Sequence, residues 1–197
     1  MTEIALFHSV LGVRPGVLEA ADRLRAAGHR VQVVDQYDGR VFDDYEEASE
    51  FALGLGYGPL MEAAVSAVEG LPDGFVAAGF SNGGGMSELV ASRRAVAGVL
   101  MLSGAAPLEL LGLERWPQGV PGQIHYTRDD PFREQASIDS LGRAMQAASA
   151  PLQVFDYPGA GHLFTDASLP AEHDPASAEL LWERVLAFCD APGKHVA

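Results

Sequence analysis

Six short apolar runs, most followed by a stretch with helical spacing, constrain this chain more than any other feature. The runs are 3–9 (EIALFHS), 30–35 (RVQVVD), 75–80 (FVAAGF), 96–103 (VAGVLMLS), 122–127 (GQIHYT) and 151–157 (PLQVFDY). Runs this short and apolar are strands buried on both faces. Between them, Val17, Leu18, Ala21, Leu24 and Ala27 repeat at helical spacing after Pro15, and Gly28 supplies a stop. Further helices are expected over about 44–53, 60–68, 82–93, 134–148 and 175–189. Strands joined by helices of this length form a mainly parallel sheet of about six strands, with helices on both faces. No linker-like run divides the chain, so one α/β domain is expected over 1–190, with a frayed tail from 191 to 197.

Composition excludes several classes of partner. Thirteen basic against 27 acidic side chains leave a net charge of −14, which repels phosphate backbones and anionic lipid surfaces. Neither a nucleic-acid nor a membrane partner is expected. The longest apolar run, 95–102, is far short of the roughly 20 residues that cross a bilayer. Cys189 is the sole cysteine, so no intrachain disulfide can form. Met-Thr-Glu-Ile lacks the basic start of a secretory leader. The expectation is a cytoplasmic protein, monomeric or homodimeric.

Gly79-Phe80-Ser81-Asn82-Gly83 fits G-x-S-x-G between a strand and a helix. In that setting the motif is the sharp elbow of an α/β-hydrolase, which pushes a serine hydroxyl out at the sheet edge. A serine needs a base to take its proton and an acid to orient the base. In this fold they follow in the order Ser, Asp or Glu, His. Asp129 and Asp130 lie just past the fifth run and His162 just past the sixth, where strand ends deliver side chains to the top of a parallel sheet. Adjacent side chains diverge, so only one of the two aspartates can face the histidine. His173 lies in a polar loop and reads as a surface residue, His29 as exposed and His125 as packed within a strand. Backbone N–H groups of Asn82 and of Val10, in the loop after the first strand, are the expected oxyanion donors. His8, Leu11, Arg40 and Trp116 are candidate pocket residues, and the stretches 37–57 and 104–119 candidate pocket walls.

Four segments, in order, resemble the dienelactone hydrolase family over nearly the whole chain. They are the opening ALFHSVLGVRPGVLEAADRLRAAGHRVQVVDQY, the elbow GFSNGG, the turn TRDDPF and the segment YPGAGHLF. The resemblance implies a small α/β-hydrolase with Ser81 as nucleophile, Asp130 as acid and His162 as base, acting on a small-molecule ester or lactone without metal or cofactor. Three departures bear on substrate. The best-known members of the family carry cysteine where this chain has Ser81. They carry a regulatory glutamate where it has Ser9, and a carboxylate-gripping arginine where it has Thr165 and Asp166. A neutral ester or lactone is therefore expected rather than dienelactone itself. Two other classes compete. One is a catalytically inactive hydrolase-fold binder of a small ligand. The other, a flavodoxin-like cofactor binder, is disfavoured because HSVLGVRPG lacks a phosphate-binding pattern.

Overall fold

The computed structural model describes residues 1–194. Six strands form one sheet: β1 (Glu3–Phe7), β2 (Arg30–Val34), β3 (Phe75–Phe80), β4 (Val96–Leu102), β5 (Gly122–Thr127) and β6 (Leu152–Tyr157). Their order is β2-β1-β3-β4-β5-β6, and every pairing is parallel. The helices are α1 (Pro15–Ala26), α2 (Tyr45–Leu55), α3 (Tyr57–Ala67), α4 (Asn82–Arg93), α5 (Gln135–Ala147) and α6 (Pro175–Asp190). Each expected strand and helix is present, with boundaries moved by a few residues. A short 3-10 turn at Leu108–Leu111 was not expected. Pro107 and Gly112 bracket it, and four residues are too few to carry a helical repeat.

The strand alternation sorts side chains onto two cores. One face of the sheet gives Phe7, Phe75, Ala77, Val99, Met101 and Ile124, which pack beneath α3, α4 and α5. The other gives Ile4, Leu6, Val76, Ala78, Leu100 and Leu102, which pack beneath α1 and α6. All residues of β3 and β5 are buried, whereas the edge strands β2 and β6 keep exposed positions. Among the described residues no helix is long and apolar enough to cross a membrane.

Position in the sheet decides what meets where. From β1 the chain moves to one side, to β2, and then crosses back to β3 on the other. That reversal opens a crevice at the C-terminal ends of β1 and β3, the usual ligand site of an open parallel sheet. The loop after β1 and the start of α4 both border it.

Residues 191–194, expected to fray, form a turn closed by Lys194 N–H donating to Ala191 O. The rest of the expected tail, with His195, lies outside the described residues.

Helix α4 lies so deep that Gly83 through Ala91 are all buried. A β-carbon on Gly83 would sit 2.5 Å from His8 O and 2.7 Å from Phe7 O, both backbone atoms of the β1 end. Gly83→Ala must therefore push α4 away from β1, at a cost of about 1–3 kcal/mol. Urea denaturation should show the loss as a lowered midpoint, with an unchanged midpoint contradicting this packing.

Candidate active site

Ser81 closes β3 and opens α4 with φ 54° and ψ −121°, a conformation that L-residues avoid. Hydrogen bonds on both sides hold it there. Its N–H donates to Leu102 O on β4, and its carbonyl accepts from Gly84 N–H, each at 2.8 Å. The hydroxyl is thereby lifted off the sheet edge.

His162 arrives from the turn after β6. Its Nε2 lies 2.8 Å from Ser81 Oγ, and its Nδ1 lies 2.8 Å from Asp130 Oδ2. With the proton on Nδ1, the ring donates to the carboxylate and leaves Nε2 to accept the serine proton. Asp130 and His162 are both buried, and Asp130 Oδ1 also accepts from Phe132 N–H at 2.8 Å. Asp129 points to solvent instead, its N–H donating to Gly159 O. The two adjacent aspartates thus diverge, and the structure brings Asp130 alone to the histidine.

Glu172 braces the histidine turn. Its Oε2 accepts from Leu163 N–H, and its carboxylate also accepts from the Tyr45 hydroxyl at 2.9 Å. The rings of Tyr45 and Phe132 flank the imidazole, with centroids at 5.9 and 4.6 Å. Burial, reinforced by Glu172, drives the Tyr45 phenol pKa upward, so it stays a neutral donor.

Asn82 N–H is the first amide of α4, and Val10 N–H lies in the turn after β1. Neither donates to a protein acceptor among the described residues. The first amides of a helix have no intrahelical partner and favour negative charge.

The cavity at Ser81 has a volume of about 440 Å³. Met61, Met86, Leu110, Leu111, Phe132 and the segment Ser103–Pro107 give it largely apolar walls. No Lys or Arg lines it, and Glu134 is its only acidic wall residue among the described residues.

The four candidate pocket residues lie elsewhere. His8 is fully buried, with Nδ1–H donating to Ser9 O and Nε2 accepting from Gln36 N–H. Burial lowers its pKa and keeps it neutral. Leu11 belongs to the core beneath α1. Arg40 is exposed and stacks its guanidinium on Phe51. Trp116 is buried in the other core, its indole N–H donating to Val120 O. Of the two candidate walls, 37–57 contributes Tyr57, and 104–119 contributes Gly104–Pro107 with Leu110 and Leu111.

Two more expectations need correction. Asp166 does not face the cavity; it is buried beside Arg14, Nε to Oδ2 at 3.4 Å, and also accepts from Ser168. His29 is buried rather than exposed, because the chain re-enters the sheet directly after Gly28. His125 is packed as expected; its ring joins Tyr157 and Gln123, and burial lowers its pKa to about 3. His173 stays outside the cavity.

Sequence patterning missed Tyr126 and Glu88, which hold the cavity wall. Tyr126 OH accepts from Ala105 N–H at 3.0 Å, and Glu88 Oε1 accepts from Ala106 N–H at 2.8 Å. An acid inside an amphipathic helix ordinarily marks its wet face, but α4 has no wet face at this point. Ser103 was missed as well; it follows β4 with φ 55° and lines the cavity.

Burial raises the Glu88 pKa from 4.5 to about 8. The folded chain therefore holds a proton that the unfolded chain has released, and stability falls as pH rises between those values. Glu88→Gln stays neutral throughout. Its melting temperature should gain on that of the parent as pH rises from about 5 to about 8. A pH-independent gap between the two melting curves would show that Glu88 does not carry this proton.

Residues 2–191 match the model of the dienelactone hydrolase family. The fold is similar to that of a dienelactone hydrolase from Anabaena variabilis, with a TM-score of 0.67 and 20% identity over 96% of this chain and 86% of that one. A dienelactone hydrolase-like promiscuous phosphotriesterase from metagenomic libraries superposes with a TM-score of 0.79 and 19% identity, over 96% of this chain and 86% of that one. A Salmonella typhi protein named "Putative carboxymethylenebutenolidase" is 36% identical over 61 residues, which is 31% of this chain and 22% of that relative's length.

Proposed function

The chain belongs to the dienelactone hydrolase family of α/β-hydrolases, and we propose that it is a serine hydrolase of small neutral esters or lactones. One observation carries this reading: the unbroken chain of short contacts from Ser81 Oγ through the His162 imidazole to the Asp130 carboxylate. A ligand-binding site has no use for a hydroxyl, a base and an orienting acid in that order.

In the proposed reaction Ser81 Oγ attacks the carbonyl carbon while His162 Nε2 takes its proton. Asp130 keeps the Nδ1–H tautomer and stabilises the imidazolium. The N–H groups of Asn82 and Val10 receive the oxyanion, and α4 adds the positive end of its dipole. His162 then passes the proton to the leaving alkoxide. It next activates water, which releases the acid from the acyl-enzyme.

The walls favour a neutral substrate. A carboxylate inside this cavity would meet no cationic side chain and would face Glu134. With Asp166 held against Arg14, the cavity lacks a counter-charge at that position as well.

Hydrolysis of p-nitrophenyl acetate tests the proposal. The parent should turn it over and Ser81→Ala should fall to background. Asp130→Asn should lower kcat by about 10³–10⁴-fold, because it favours the wrong tautomer. Equal rates in the parent and Ser81→Ala would overturn the assignment.

A further inference from the structure

The cavity at Ser81 has a neighbour. A second cleft, of about 520 Å³, is lined by Gly58, Met61, Glu62, Val65, Ser66, Leu89, Arg93 and Leu111. Met61 and Leu111 also line the first cavity, so the two spaces meet across these side chains.

Helical spacing shows why they are aligned. On α3, Tyr57, Met61 and Val65 stand four residues apart and form one row. On α4, Gly85, Leu89 and Arg93 form another. Tyr57 and Gly85 line the first cavity and Val65, Leu89 and Arg93 the second. A groove between the rows thus runs along α4 for about 12 Å from Gly85 to Arg93, at 1.5 Å per residue.

The junction is built from adaptable parts. Leu111 Cδ2 stands 3.6 Å from where a β-carbon on Gly85 would be, so the glycine leaves room beneath it. Met61 is unbranched and flexible, the side-chain type that repacks most readily around a guest. Leu110 is 73% exposed and Tyr57 49%, and both line the first cavity as an apolar rim. Of the charged residues lining the second cleft, Glu62 directly follows Met61 at the junction and Arg93 ends the α4 row, one charge of each sign, so no net charge selects an ionic terminus.

We propose that the groove between α3 and α4 is a subsite for the alkyl tail of a medium-chain acyl ester, entered from Ser81 between Met61 and Leu111. The occupant follows from continuity, since an acyl chain attached at the reacting carbonyl starts in the first cavity and extends past Met61 and Leu111 into the second. This proposal rests on the serine-hydrolase reading for its chemistry, but the groove can be tested without turnover.

Two experiments separate the readings. In the first, kcat/KM is compared for p-nitrophenyl acetate, butyrate and decanoate. The parent should prefer decanoate over butyrate by at least about ten-fold, since each fully buried methylene contributes up to about four-fold. Val65→Trp and Ser66→Trp, which fill the far cleft, should bring the decanoate-to-butyrate ratio close to one. Ser66 is exposed, so its variant guards against a folding defect at Val65.

In the second experiment, methyl decanoate is titrated calorimetrically into Ser81→Ala and into Ser81→Ala/Ser66→Trp. Binding to the first that weakens at least about ten-fold in the second supports the groove even if no ester is turned over. Acetate turnover with a decanoate ratio that neither tryptophan changes overturns the groove and leaves the hydrolase intact. Failure of Ser81→Ala to bind methyl decanoate overturns the groove independently of catalysis.

Discussion

The approach of α4 to the sheet is the constraint on which the rest of this molecule depends. The helix must begin within one residue of the end of β3 and pass almost in contact with β1 and the end of β4. A β-carbon on Gly79 would sit 1.9 Å from Gly83 O, one on Gly84 2.0 Å from Gly104 O, and one on Gly104 1.8 Å from Ser81 O. None of these contacts can be relieved by turning a side chain, because each is with backbone. The glycines are thus a steric condition for the elbow, and the positive φ of Ser81 is its consequence. Move α4 outward and the hydroxyl retreats from His162, while the first helical amide leaves the place proposed for the oxyanion.

Once the serine is lifted, its partners must be delivered from two loops that carry no regular structure. Each loop is pinned by bonds that leave free the atoms that contact one another in the Ser81–His162–Asp130 chain. The acid turn is closed by Asp130 Oδ1 on Phe132 N–H, which leaves Oδ2 for the histidine. The histidine turn is tied through Glu172 to Tyr45 on the first turn of α2. A β-carbon on Gly161 would collide with Glu172 O at 2.0 Å, so the turn lies flat against that backbone. The wall opposite is fixed from below by Glu88 and Tyr126. Polar groups thus satisfy the irregular backbone around the site, while apolar walls face the space it encloses.

What the sequence revealed divides along physical lines. Strand and helix positions were legible because burial on two faces imposes continuous apolar runs such as FVAAGF, and a half-buried helix imposes a repeat. Chain order and strand ends made Ser81, His162 and the pair Asp129 and Asp130 legible as candidates, but not which aspartate faces the histidine; the resemblance of TRDDPF to the family's acid turn singled out Asp130. The pocket lining was not. His8 sits at the end of β1 as a site residue would, yet its ring turns inward to Ser9 and Gln36. Trp116 lies in a loop that does border the cavity, but its indole found Val120 in the core. Asp166 stood where a substrate contact was expected, and Arg14, distant in sequence, holds it instead. These are pairwise tertiary choices, and no local pattern encodes them.

Charge ties the cavity to the rest of the chain. An ester hydrolase converts a neutral substrate into an anion inside its own site. A cationic grip would retain that product, as it would retain an acidic substrate. Here the cavity offers Glu134 and no cationic side chain, within a chain of net charge −14. On the proposed reaction the field of the protein is nearly indifferent to the incoming ester and opposed to the outgoing carboxylate. Binding energy must then come from apolar contact, which acts on the uncharged part of either species. Selectivity between substrate and product is left to electrostatics. The same acidic composition thus favours release of the acid on this reading, provided that the tail it carries is not held too tightly by the walls.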